Sequence, residues 1–127
     1  MDGVRVWARD LIGYGGLWSI TVSPAGSIYI TCPTGDCIYV LTTSGEMSDT
    51  LPQTTSSWGL DWPRGICTDS TGRWLFVGDE VWASGRVSMI DTETDTRHII
   101  IHKIGMVVSL DIFQDRYLVI GTWWSGI

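Results

Sequence analysis

The chain of 127 residues contains no asparagine and a single lysine, Lys103. Without asparagine there is no Asn-x-Ser/Thr acceptor for N-glycosylation. Basic residues are few: 8 stand against 14 acidic ones, giving a formal charge of −6. That balance lacks the basic face that nucleic acid requires, and it disfavours anionic membrane surfaces. No apolar run approaches the ~20 residues of a membrane-spanning helix. Neither nucleic acid nor a membrane is therefore expected as a partner. The opening "MDGVRVWARD" lacks the basic, apolar and small-residue succession of a secretory signal. Cysteine is scarce and odd in number, three in all. At least one thiol has no partner within the chain, which leans towards a reducing, cytoplasmic setting. A Gly-x-Ser-x-Gly elbow, a phosphate loop and a His-Glu-x-x-His pair are also missing, so no catalytic residue is assigned and a non-enzymatic role is expected.

What remains is apolar and aromatic. Hydrophobic residues make up 44% and tryptophan occurs eight times, too much apolar content for a disordered chain. The length suits one domain. No sustained 3.6-residue apolar period is present. Short runs such as "SIYITC", "CIYVLTT", "RWLFVGD", "RVSMIDT", "RHIIIHK" and "RYLVIGT" read instead as strands, rich in β-branched and aromatic residues. The expected fold class is all-β.

The runs repeat in a fixed order. "WSITVSPAGSIYIT", "RGICTDSTGRWLFVGD" and "VVSLDIFQDRYLVIGT" each read as a strand, a tight turn and a second strand. The turns are residues 23–26, 69–72 and 111–115, and Gly26 and Gly72 close the first two, where a reversal favours positive φ. Two further strands follow each of the first two units. One repeat is thus four strands, a to d, over about 44 residues, the length and content of a β-propeller blade. The expected division is residues 1–16 as strands c and d of a shared blade, 17–60 and 61–104 as whole blades, and 105–127 as strands a and b of a shared blade. Three blades cannot close a ring, and open strand edges invite pairing. The expectation is a homodimer in which each shared blade draws strands from both chains, completing a six-bladed ring. The alternative is a fragment of a longer propeller.

The segments "PRGICTDSTGRWLFVGD" and "GRVSMIDTET", with the weaker copy "WSITVSPAGSIYITCPTGDCIYVLTTSGE", resemble NHL-repeat propellers and the related six-bladed propellers of the gluconolactonase type. The resemblance lies in the blade repeats; the Asn-His-Leu-like triplet is absent. Gluconolactonase-type propellers hold a metal with a Glu, Asn and Asp set. Lacking asparagine, this chain cannot complete that set, so no metal or cofactor is expected.

In a propeller the d–a and b–c loops share one face of the ring. Trp58, Asp61 and Trp62 fall in a d–a connection, and Glu80 and Trp82 in or beside a b–c loop. Trp123 and Trp124 stand where the third b–c loop starts, and Trp18 at the entry to a strand a. Asp36 and Asp79 join the acids of that face. Aromatic rings among carboxylates suit a polar ligand with an apolar side. The expected ligand-binding set is Trp58, Asp61, Trp62, Glu80, Trp82, Trp123 and Trp124, and the expected partner a protein or peptide. A sugar-binding, lectin-like propeller and a lactonase-type hydrolase are the alternatives. Trp7 and Trp74 lie within strands and read as core. Cys32 and Cys37 stand at the two ends of a hairpin, as a disulfide or as two thiols; Cys67 reads as a small buried hydrophobe. His98 and His102, four apart on one strand, read as same-sided and solvated. The acids of residues 91–96 read as a solvated turn.

Overall fold

A computed structural model describes residues 15–123. Of the strands expected over residues 1–16, residues 1–14, with Trp7, lie outside the described residues, as does Trp124. Within them ten strands form three antiparallel sheets. The first contains β1 (Ile20–Val22), β2 (Ile28–Cys32), β3 (Cys37–Leu41) and β4 (Met47–Leu51), in that spatial order. The second contains β5 (Ile66–Thr68), β6 (Trp74–Val81), β7 (Ser84–Asp91) and β8 (Thr96–Ile104), again in sequence order. The third pairs β9 (Val107–Phe113) with β10 (Tyr117–Thr122). A 3-10 turn at Pro33–Gly35 joins β2 to β3.

Strand alternation decides the layering. On one face of the second sheet Ile66, Leu75, Val77 and Ile90 line up across β5, β6 and β7. They form one core with Tyr29 and Ile38 of the first sheet and Leu60 of the connecting segment. The opposite face carries Cys67, Phe76, Val87 and Ile101, which pack on Val107, Leu110, Leu118 and Ile120 of the third sheet. The second sheet is therefore the middle layer, and β5 stands between β1 and β9. Glycine makes this approach possible. A Cβ at Gly78 would lie 2.2 Å from Val107 Cγ1, and one at Gly65 would lie 2.9 Å from the Ser109 carbonyl carbon.

The third turn, expected at residues 111–115, is shorter. β9 continues to Phe113, with Asp111 and Ile112 paired to Val119 and Leu118. Gln114 and Asp115, both with positive φ, then reverse the chain together with Arg116, in a three-residue connection between the paired Phe113 and Tyr117. His98 and His102 do not share a side. Register shifts leave Ile100 and Lys103 unpaired; Ile100 lies between the two histidines, so His98 faces Met89 while His102 faces Arg86, because an extra residue in a strand breaks its period of two. Trp74 lies within a strand but is only half-buried, because it opens β6 at the end of the ladder, where the Arg73 guanidinium lies 5.3 Å from its ring centroid.

Asp91 is no solvated turn acid. It is buried and accepts 2.8 and 3.2 Å hydrogen bonds from Arg73. That guanidinium, helped by the Glu93 and Thr94 N–H groups, holds its carboxyl well below the usual range, against the opposing effect of burial. A depressed folded-state pKa contributes stability that is complete at neutral pH. The contribution drains away as pH falls through and below the ordinary carboxylate range. Acid unfolding followed by circular dichroism should therefore show a shallower loss of stability below about pH 4 in Arg73→Gln than in the parent. Equal slopes would remove Asp91 as a contributor to acid sensitivity.

Candidate functional site

Residues 52–65 connect the first sheet to the second. Buried Leu60 and Pro63 anchor this segment, and its last residues extend the β5–β6 pairing. The Arg64 N–H donates to the Gly78 carbonyl at 2.8 Å, the Gly78 N–H to the Gly65 carbonyl at 2.9 Å, and the Glu80 N–H to the Asp61 carbonyl at 2.8 Å. Trp62, with φ of 48°, donates its N–H to Asp36 Oδ1 at 2.9 Å. Asp36 in turn closes the 3-10 turn in a left-handed conformation.

This backbone places one cation among the rings. The Arg64 guanidinium lies 5.4 Å from the Trp18 ring centroid and 5.6 Å from that of Trp62. It donates to Glu80 Oε2 at 2.8 Å, with both side chains largely shielded from solvent. Trp18 Nε1–H reaches across to the Val108 carbonyl on β9 at 3.0 Å. Trp18, Trp62, Arg64 and Glu80 therefore form a preorganised cluster that touches all three sheets. Charge-assisted bonding and ring stacking reinforce each other where water is displaced.

A second pair lies beneath it. Asp79, 1% exposed, accepts from Arg86 Nε at 2.7 Å and Nη2 at 2.8 Å. The Asp61 N–H adds a bond to Asp79 Oδ2 at 2.9 Å. The carboxylate is saturated by its own chain, so Asp79 holds the connecting segment on β6 and β7 and does not join the exposed acids.

The residues expected to bind ligand divide accordingly. Trp62 and Glu80 engage Arg64. Asp61 is exposed, with its backbone fixed on both sides. Trp82 is 96% exposed and opens the two-residue Trp82–Ala83 turn, where both residues take positive φ. Such turns favour Asn-Gly, and an indole held bare there against that preference packs on nothing. Trp123 is 75% exposed, its N–H bonded to the Met106 carbonyl at 2.8 Å. Trp58 stands apart. It is half-buried against the first core, donates Nε1–H to the Asp95 carbonyl at 3.2 Å and lies under Arg97. It faces the β7–β8 turn because the connecting segment first crosses that turn, where Ser56 also hydrogen-bonds Asp95.

Arg64 is the residue of this cluster not expected from the sequence. Its signal is local: in "DWPRG" a lone cation follows a tryptophan on an otherwise acidic face.

Cys32 and Cys37 sit directly opposite each other across β2 and β3 and are not disulfide-bonded. Burial, above all, raises the Cys37 thiol pKa and pushes the neighbouring Tyr39 hydroxyl up to about 12, with both thiols adding to the latter. Burial and then Asp111 push Cys67 up to about 12. Among the described residues no group of three or more His, Cys, Asp or Glu side chains is arranged to hold a metal ion.

No protein-family model matches the chain, and no curated protein matches it.

Proposed function

We propose that this chain is half of a six-bladed β-propeller, completed by a second copy, whose loop face binds a protein or peptide without catalysis. The ring reading draws support from strand order: two four-stranded sheets and one two-stranded sheet, with their first strands side by side. The outer edge of β10 has no partner among the described residues. Both ends of the three-sheet stack are apolar. Ile20 and Val22 are exposed at one end, and Phe113, Tyr117 and Val119 at the other. Each end has the character of a face awaiting another sheet. Residues 1–16, expected as strands c and d, are what the β10 edge of a second copy would take up.

The observation that carries the binding reading is Trp82, almost wholly bare at the apex of a rigid hairpin. Trp123 and Asp61 are exposed on other loops of the same class. The Arg64 cluster holds that loop framework stiff, which lowers the ordering cost of binding. Arg64 already occupies the Trp18 and Trp62 faces, so a basic peptide side chain would meet Trp82 or Trp123 with Asp61. Screening of a peptide library against the pure protein, beside a glycan array and a lactonase assay, tests the class of ligand. Trp82→Ala should weaken peptide binding by about 2 kcal/mol, as loss of an aromatic anchor does, with an unchanged melting temperature. Trp58→Ala should instead cost about 2 kcal/mol of stability, less than a fully buried tryptophan. A Trp82→Ala protein that keeps full affinity, or glycan binding in place of peptide binding, would overturn this reading.

A further inference from the structure

We infer that a cleft on the middle sheet, centred on Lys103, binds a small organic carboxylate. It lies on β7 and β8 beside the Trp82–Ala83 turn, and its assignment does not depend on the ring. Its volume is about 450 Å³, within the range of small-molecule sites. Val81, Ser84, Arg86, Ile99, His102 and Lys103 line it.

Three observations converge there. The first is the backbone. Lys103 is the unpaired residue of a register shift, between His102, which faces Arg86, and Ile104, which faces Gly85. It takes φ of 60°, a conformation that costs a non-glycine residue free energy. Bulges turn a side chain out of the strand's alternation, and here the one turned is the only lysine of the chain.

The second is charge. On a protein of net charge −6, Arg86 and Lys103 line this cleft beside His102, and the Arg97 side chain, from the far end of β8, reaches the Gly59 carbonyl that Arg86 also approaches. Among the described residues Asp79 is the carboxylate paired with Arg86; Asp61 acts on Arg86 from further off. Arg97 donates to the Gly59 carbonyl at 2.5 Å and has no carboxylate partner among the described residues. Burial and then the neighbouring Arg86 work against its charge, and Asp79 offsets them in part. Arg86 is already balanced by Asp79, so an anion in the cleft would pair chiefly with the Lys103 ammonium.

The third is the apolar wall. Ile99 is 45% exposed and lies on the same face as Arg86 and His102, since it pairs with Ser88, two residues beyond Arg86. With Val81 it offers a surface for a hydrocarbon body beside the cations. That combination selects a carboxylate carrying an apolar group over a bare inorganic anion.

Isothermal titration of the intact protein with benzoate, acetate and inorganic phosphate tests the assignment. Benzoate should saturate at millimolar concentrations, more tightly than acetate or phosphate. Lys103→Gly should weaken benzoate at least about tenfold while leaving the melting temperature unchanged or raised, because glycine accepts this φ without cost. Lys103→Arg should retain binding. Absence of saturable benzoate binding, equal affinity in Lys103→Gly, or phosphate binding more tightly than benzoate would overturn the proposal.

Discussion

Arg86→Met is expected to lower the stability of the fold by about 3–5 kcal/mol, the cost of leaving a buried charge without its partner. The charge is that of Asp79, whose side chain is fully shielded and which meets Arg86 through two short bonds. Methionine fills much of the same volume, so lost packing contributes little. The Asp61 N–H remains as a donor to Asp79, but one neutral donor does not offset the loss of a bidentate guanidinium. Replacing both members, Asp79→Leu with Arg86→Met, should recover part of the loss, because the desolvation cost of both charges disappears. Urea unfolding of the two single variants and the double variant measures the coupling. Single losses that simply add in the double variant would show that the pair acts as two independent side chains.

Gly78→Ala is the second large effect, about 3 kcal/mol or more of destabilisation. The added methyl would stand 2.2 Å from Val107 Cγ1 and 2.5 Å from Val107 Cβ, far inside contact distance. Val107 is 1% exposed and belongs to the core between the second and third sheets, so it has nowhere to retreat. Overpacking of a filled core is destabilising in the same way as a cavity. Adding Val107→Ala should rescue Gly78→Ala in part, since it removes the Cγ atoms that clash. A Gly78→Ala protein as stable as the parent in urea would mean that the third sheet is not seated against β6 as described.

The strands were legible because each half-buried sheet writes its own alternation. Leu75 and Val77 point to one core and Phe76 to the other, and "RWLFVGD" carries that period without ambiguity. Turn chemistry fixed by glycine was legible too, at Gly26 and Gly72. Where non-glycine residues take positive φ the signal vanishes. Gln114 and Asp115 shortened the third turn, while the unpaired Ile100, with no turn residue to announce it, parted His98 from His102. Asp79 and Asp61 are both acids beside a loop, and only the third dimension gives one of them Arg86 and the other solvent. Trp58 and Trp82 likewise differ in nothing local; one meets the β7–β8 turn and the other meets nothing.

The measurement that bears most directly on the proposed architecture is the solution mass of the intact chain by light scattering across a range of concentrations. Completion of the ring by a second copy predicts a species of twice the 14.1 kDa chain mass. It should persist on dilution, because it seals a strand edge and two apolar faces at once. A folded chain that remains a monomer at every concentration would contradict it.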